Sequence, residues 1–529
     1  MINHEGSDPS SLEDRLSNRA LVLVLLVVAA ALRVYHLSSQ SIWVDEMLTL
    51  SSSGITAPLS AIDIFDNLHG PLHSMILFLW TRVAGDSEFA LRVPSVLFSV
   101  LSLIVIYRLI LKLSDSKTAL VALALMAISP FHLWYGQEAR NYSLLLLLSA
   151  LSFDSYLSLL SEPGRTNFGK YVLFTFAAFL SNMSMAFLVI VQDLLFFFSP
   201  RKLSFRNLVL AHILIALLLL PWLKGMFERV EFHRLLKTEP YPETQFLRGE
   251  TTFSPLAVPY TCYVFSVGYS LGPGLRELHE SAGIAGFSRH LSVLIPAAAC
   301  FSLAFLFGLI SLRKRKKLML LLLLWLLVPL AIVSLFAVKN FKPFNPRYVM
   351  VAFPAYMLIV AEGLRLRTLA FLRVVLVAAI VVVTIISLWN YYHVPEYQKD
   401  DFRAAAGVLN AEVTPGDVVF AEGTYEPLIY YCRDTLPILP LFPELISDEH
   451  ELESYVLKEA EEADRIWLVT SRLWNLDPEK RVLAQFTKLF GAEKELHFEG
   501  VDLTLFLKRR EARSESARGE GTWKDLASF

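Results

Sequence analysis

The hydrophobic positions of this chain fall into long unbroken blocks, not into the alternating or one-in-three-to-four patterns of soluble domains. Crossing about 30 Å of hydrocarbon takes roughly 20 helical residues. Eleven stretches qualify: 20–37, 92–113, 117–135, 139–160, a short pair within 170–199, 206–224, 291–312, 317–338, 346–364 and 369–391. The first reads as an uncleaved anchor, because its leader mixes acids with bases and Arg33 follows Ala29–Ala31 at once. A shorter apolar stretch, Pro71 to Val83, lies between Asp66 and Asp86 and reads as a helix along the membrane interface.

From residue 394 the pattern becomes that of a soluble domain. Asp400 and Asp401 can cap a helix over Phe402–Glu412, and the turn Thr414-Pro415-Gly416-Asp417 leads into a strand over Val418–Ala421. Ile466–Thr470, Leu496–Phe498 and Leu503–Leu507 also read as strands, with helical patterns over Glu449–Ala463 and Pro478–Phe490. The expected fold is a mainly α membrane protein. A cytoplasmic leader (1–19) precedes a polytopic domain (20–392) of about 11, at most 13, transmembrane helices. A small extracytoplasmic α/β domain (394–510) and a disordered tail (511–529) rich in Arg, Glu, Ser and Gly follow.

Composition supports the membrane reading: 54% of residues are apolar and the mean hydropathy is +0.49, more than soluble cores can hold. The 48 basic and 50 acidic side chains nearly cancel, which excludes a general nucleic-acid binder. Cys262, Cys300 and Cys432 are far apart and fit neither a metal site nor a disulfide framework.

Charge fixes the expected orientation. If Pro71–Val83 does not cross, the clusters around Arg108, Lys112 and Lys117, Arg165 and Lys170, Arg201 to Arg206, Arg313 to Lys317, and Arg365 with Arg367 all face the cytoplasm, as basic loops do. Residues 38–91, 136–138, 225–290, 339–345 and those after 392 then face outside.

Four polar groups collect on that outer side. Trp43-Val44-Asp45-Glu46 sets two carboxylates just beyond the first span. His69-Gly70-Pro71-Leu72-His73 opens the interfacial helix, with Pro71 at its first position; the two histidines can start a helix, touch substrate or share a metal. Gln137-Glu138-Ala139-Arg140-Asn141-Tyr142 places a Glu, an Arg and two amides within one turn, and helical spacing makes neighbours of Glu138 and Tyr142 and of Gln137 and Asn141. Pro346-Arg347-Tyr348 follows Lys339 and Lys342; an arginine at an interfacial helix start can hold a phosphate bidentately. Within the spans, Asp154 and Gln192-Asp193 are costly in lipid and read as structural contacts to other helices.

Together these groups resemble the polyprenyl-phosphate-dependent glycosyltransferases of the integral-membrane GT-C type, the class of family 39 enzymes, protein O-mannosyltransferases and aminoarabinose transferases. Gly85-Asp86-Ser87-Glu88-Phe89-Ala90-Leu91-Arg92-Val93-Pro94 and Ser129-Pro130-Phe131 complete the set. The resemblance implies transfer of a sugar from a polyprenyl-phosphate carrier at the outer membrane surface to a lipid, glycan or protein acceptor. It makes Asp45 the catalytic base and Glu46 its neighbour in the site. Substrate contacts are expected from His69, His73, Arg92, Gln137, Glu138, Arg140, Arg347 and Tyr348, with no cofactor and with a divalent metal left open as the less favoured reading. Members often carry His-Pro-Pro and Tyr where this chain has His69-Gly70-Pro71 and His73, and a Thr-His-Tyr-like stretch where Ser181-Asn182-Met183 stands. These departures bear on the sugar and the acceptor.

The chemistry is consistent with one carboxylate. A phosphate leaves as a stable anion, so it needs cations to hold developing charge and no general acid. An alcohol is not ionised beforehand by a carboxylate near pKa 4. Its proton must pass to Asp45 as the new bond forms at an oxocarbenium-like carbon, which makes the transfer inverting. A transporter for a lipid-linked or acidic solute is the alternative, but it would place its polar groups near mid-membrane, usually with an internal repeat. A scaffold would leave the acidic loop and Arg347 without a role.

Overall fold

The computed structural model describes residues 9–53, 70–198, 202–228, 256–280, 285–339, 344–365, 370–423, 425–433, 436–441, 448–473 and 477–508. The expectations for Asp66, His69, Arg201, Lys342, Arg367 and the tail 511–529 lie outside the described residues. The chain divides into two compact units, one of Met1–Ser39 with Leu48–Tyr397, the other of Gln40–Met47 with the chain from Gln398 onward. The acidic segment 40–47 thus packs with the C-terminal unit, whereas its position in the sequence grouped it with the membrane domain.

The first unit is helical. It comprises α1 (Pro9–Val34), the second half of α2 (Val44–Ser51), α3 (Pro71–Ala84), α4 (Glu88–Leu113), α5 (Ser116–Ala127), α6 (Pro130–Gly136), α7 (Tyr142–Ser161), α8 (Arg165–Ser181), α9 (Met185–Phe198) and α10 (Phe205–Glu228). After these come α11 (Ala257–Val267), α12 (Leu291–Leu312), α13 (Lys316–Val338), a 3₁₀ turn (Pro346–Ala352), α14 (Phe353–Leu364) and α15 (Ala370–His393). Seven described helices are long and apolar enough to cross a membrane, or eight if the pair α5 and α6, bent by 60°, counts as one span. The bend follows from Pro130, which cannot continue a helix and starts α6 with Ser129 as its cap.

Burial sorts these helices. α7 and α14 are apolar on every side and almost wholly enclosed, as a core helix must be. α10, α12 and α15 expose large apolar side chains such as Phe371, Val374, Leu217 and Ile295, a surface only lipid accommodates at this density. α12 and α14 touch backbone to backbone: a Cβ on Gly308 would lie 2.0 Å from the Ile359 carbonyl oxygen, and one on Gly363 closer still to that of Ala304. Small residues permit this approach in membranes, where van der Waals packing replaces the hydrophobic drive.

The in-span acids meet basic side chains on neighbouring helices, in line with their structural reading. Asp154 on α7 meets Lys112 at 2.6 Å, and Asp193 on α9 meets His212 on α10 at 3.4 Å. At one end of the helices Arg315 pairs with Glu362 (2.8 Å) and Arg365 with Asp115 (2.5 Å), clasping the α4–α5 and α12–α13 turns to the end of α14. The basic clusters therefore gather at the end opposite to the starts of α4, α7 and α14.

The second unit is a five-stranded sheet of order β2-β1-β3-β5-β4, from β1 (Val418–Glu422), β2 (Ile438–Leu441), β3 (Arg465–Ser471), β4 (Phe490–Phe498) and β5 (Val501–Lys508). β1 runs parallel to β2 and β3, while β5 is antiparallel to β3 and β4. Side chains alternate between two cores. Val419, Ala421, Trp467 and Val469 pack with α16 (Phe402–Glu412) and α17 (Glu426–Cys432). Phe420, Ile466 and Leu468 pack with α18 (Glu449–Glu459) and α19 (Arg481–Leu489). Helices on both faces are what parallel pairing demands. Asp401 caps α16 by accepting from the Ala404 N–H at 3.1 Å, as its sequence signals.

Candidate functional site

At the end of the first unit remote from the basic clasp, α2, α3 and the α6–α7 turn border a small pocket open on one side, lined by Thr49, Ser52, Gly70, His73, Arg140 and Asn141 among others. The Arg140 guanidinium is 4% exposed and donates to Thr49 Oγ1 at 3.1 Å. Ser52 and Ser74 hydroxyls meet at 3.0 Å and join α2 to α3. Asn141 donates to the Ser181 carbonyl at 2.6 Å, fixing the turn against the end of α8.

Gly70 makes this corner. Its φ of +92° lies where L side chains rarely go, and a Cβ there would stand 2.5 Å from the Leu180 carbonyl oxygen. Proline, fixed near φ −65°, cannot take that conformation, so the departure from His-Pro-Pro is built into the backbone. Pro71 sits at the start of α3. His73, one turn on, is 2% exposed, and neither ring nitrogen has a hydrogen-bond partner among the described residues. Burial first, and the Arg140 charge second, push its imidazole down to about 3. It faces the pocket neutral.

Arg347 enters from a different part of the chain. Asn345 accepts from its backbone N–H at 3.1 Å, Pro346 starts the 3₁₀ turn, and its guanidinium carbon lies 5.9 Å from the Tyr142 ring centroid and 5.4 Å from that of Tyr348. Arg140 lies 5.9 Å from the same Tyr142 ring. One buried aromatic thus carries two cations.

The other expected residues take different places. Segment 137–141 is a turn between α6 and α7, not helix. The helical neighbour relations of Glu138 with Tyr142 and Gln137 with Asn141 therefore do not hold, because α6 ends at Gly136 and the chain must reverse. Gln137 donates to the carbonyls of Arg33 (2.9 Å) and Tyr35 (2.7 Å), capping the end of α1. Glu138 is buried in the same turn. Arg92, 1% exposed on α4, donates to the Leu37 carbonyl at 2.9 Å. Thr49 and Ser52 were missed by sequence reasoning, although the spacing of four from Asp45 to Thr49 puts both on one helical face.

In the second unit, Asp45 stands half-buried in the first turn of α2, and Glu46 is fully buried with Oε2 3.4 Å from Lys399 Nζ. Among the described residues no group of three or more His, Cys, Asp or Glu gathers as a metal site would.

Residues 68–224 match the family model described as dolichyl-phosphate-mannose-protein mannosyltransferase. No curated protein sequence matches the chain significantly. Among solved structures, ArnT from Cupriavidus metallidurans bound to undecaprenyl phosphate is similar at a TM-score of 0.56 and 12% identity, over 92% of this chain and 97% of that one. The apo oligosaccharyltransferase of Archaeoglobus fulgidus is similar at a TM-score of 0.52 and 12% identity, over 93% of this chain and 74% of that one. This chain is thus a multi-pass membrane protein with the GT-C type fold of ArnT, carrying a match to the dolichyl-phosphate-mannose-protein mannosyltransferase family over residues 68–224.

Proposed function

We propose that this protein is a glycosyltransferase that moves a sugar, with inversion, from a polyprenyl-phosphate carrier to a hydroxyl- or amine-bearing acceptor at the outer face of the cytoplasmic membrane. The observation that carries the reading is the pair of guanidinium groups, Arg140 and Arg347, converging on the Tyr142 ring beside a polar pocket. Two fixed cations in a poorly solvated setting match the need of a departing phosphate. The family match and the undecaprenyl phosphate in the ArnT structure point to the same donor class.

Asp45 is the base in this reading. α2 carries Asp45 in its first turn and Thr49 in its second, and Thr49 is the hydroxyl that Arg140 grips. As the acceptor oxygen attacks the anomeric carbon, its proton passes to Asp45, the carbon–oxygen bond to phosphate breaks, and its electron pair leaves with the phosphate. Arg140 and Arg347 hold the charge that develops. His73, kept neutral, offers a ring nitrogen to a sugar or acceptor hydroxyl without repelling the cations. The basic clasp at the opposite helix ends supports this sidedness, since basic loops favour the cytoplasm; in this reading the pocket faces outside, with α3 along the interface.

The transporter alternative loses its best residues, since Asp154 and Asp193 are engaged by Lys112 and His212. The direct test supplies the purified protein with a radiolabelled polyprenyl-phosphate sugar and a membrane extract. Label should move to a new lipid, glycan or protein; label that stays on the carrier refutes the assignment.

A further inference from the structure

Segment 40–47 is held in the second unit by residues far downstream. Ser41 Oγ donates to the Asp400 carbonyl at 2.5 Å, and the Ile42 N–H donates to the Tyr431 hydroxyl at 2.6 Å. Two cations meet the Trp43 ring, Lys399 Nζ at 5.2 Å and the Arg472 guanidinium carbon at 5.3 Å from its centroid. Arg472 Nε in turn donates to Asp400 Oδ2 at 2.7 Å. Arg472 holds φ at +50° to do so, a left-handed backbone that a non-glycine residue keeps only where its surroundings enforce it. Past the tryptophan, Lys399 Nζ stands 3.4 Å from Glu46 Oε2, with side chains 2% and 0% exposed.

A buried ion pair is a poor source of net stability, because removing both charges from water offsets most of their attraction. An apolar contact would fasten the segment at least as well. What a charge pair adds is direction. Neighbouring residues on a helix point about 100° apart, so gripping Glu46 fixes where Asp45, one residue earlier in the same turn of α2, must point. Building on the reading of Asp45 as base, we propose that Lys399 is a positioning residue for the reaction: it pins Glu46 to the α/β unit and so aims the Asp45 carboxylate. The α/β unit then shapes proton transfer through Lys399, just ahead of its first helix. Arg472 and Trp43 keep the Lys399 ammonium in place.

The test uses the full-length protein in lipid nanodiscs with a polyprenyl-phosphate sugar as donor, comparing Lys399→Met, Lys399→Arg, Glu46→Gln and the double variant Lys399→Met/Glu46→Gln. Lys399→Met should lower kcat by about 10- to 100-fold, the scale of a misplacement of about 1 Å, with donor KM within about twofold. Lys399→Arg should recover most of the loss, and the double variant should exceed Lys399→Met because the buried charge that Lys399 offset is removed with it. Wild-type turnover in Lys399→Met, a loss confined to donor KM, or a double variant no better than the single one would overturn the proposal. Amide hydrogen exchange over residues 40–51 supplies a readout independent of activity. It should quicken in Lys399→Met and return in Lys399→Arg; unchanged exchange overturns the positioning role. Quickened exchange in a protein that transfers no sugar would leave the pinning intact and refute the transferase reading instead.

Discussion

Arg140 and Arg347, from opposite ends of the membrane domain's sequence, share one ring: each guanidinium carbon is 5.9 Å from the centroid of Tyr142. On the reading that this pair holds the departing phosphate, both groups act on one developing charge. Replacing either by alanine should lower kcat/KM by about 10²- to 10³-fold, the usual cost of one preorganised donor to a developing charge. Lysine should restore only part, since it lacks the planar fork. The double variant should lose less than the product of the two, because both act on one group. Donor kinetics on folded protein check this.

The buried imidazole of His73 gives a pH signature. Its folded value of about 3 lies below the ordinary 6.5. The unfolded chain therefore binds a proton that the folded chain refuses, and stability should fall as pH drops from about 6.5 toward 3. His73→Leu should flatten that part of a stability profile followed by thermal unfolding in detergent. Turnover should show no inflection near pH 6.5 that His73→Asn removes.

Gly70→Pro, which moves the motif toward the commoner His-Pro-Pro, should not be neutral here. The φ of +92° and the Leu180 carbonyl 2.5 Å from any Cβ make it destabilising by about 3 kcal/mol or more. Gly70→Ala should be milder but still harmful. The yield of monodisperse protein and its melting temperature report both.

In the α/β unit, Glu422 at the end of β1 is 1% exposed and close to Asp477, whose carboxylate accepts from the Val482 N–H at 2.9 Å. Burial, then the neighbouring Asp477 charge, raises the Glu422 carboxyl from 4.5 to about 9. The folded state keeps a proton that the unfolded state has lost, so the unit should be most stable below about pH 4.5 and weaken as pH rises toward 9. Glu422→Gln, neutral and of equal size, should remove that slope and raise stability at pH 8, as read by pulse proteolysis of the α/β unit.

The sequence made the long helices legible because lipid demands about 20 apolar residues in a row. Alternation and capping also placed α16, β1, β3 and β5 to within a residue or two, but showed only the last third of β4 (Phe490–Phe498), whose exposed first half alternates weakly. The sequence hid β2 (Ile438–Leu441), which is short and contains Pro440; a proline survives there because β2 is an edge strand with no outer neighbour. α17 (Glu426–Cys432) is brief and lacks a clear period, and α11 (Ala257–Val267) is too short for the span criterion.

Arg140, His73 and the motif residue Asn141 line one pocket, while Gln137 donates to backbone carbonyls at the α1 end and Arg92 to the Leu37 carbonyl in the loop after it. Sequence spacing could not reveal that, because the carbonyls needing partners are a hundred or so residues away at Arg33 or some fifty away at Leu37. The same holds for Lys399, whose partner Glu46 lies at the other end of the chain.

The central claim rests on Asp45 taking the acceptor proton. The decisive measurement is single-turnover sugar transfer from a polyprenyl-phosphate donor by wild-type and Asp45→Asn protein of equal melting temperature, with the anomeric configuration of the product read by NMR. The account predicts an inverted product and a rate about 10²- to 10⁴-fold lower in the variant. A retained configuration, or an Asp45→Asn protein as fast as wild type, would contradict it.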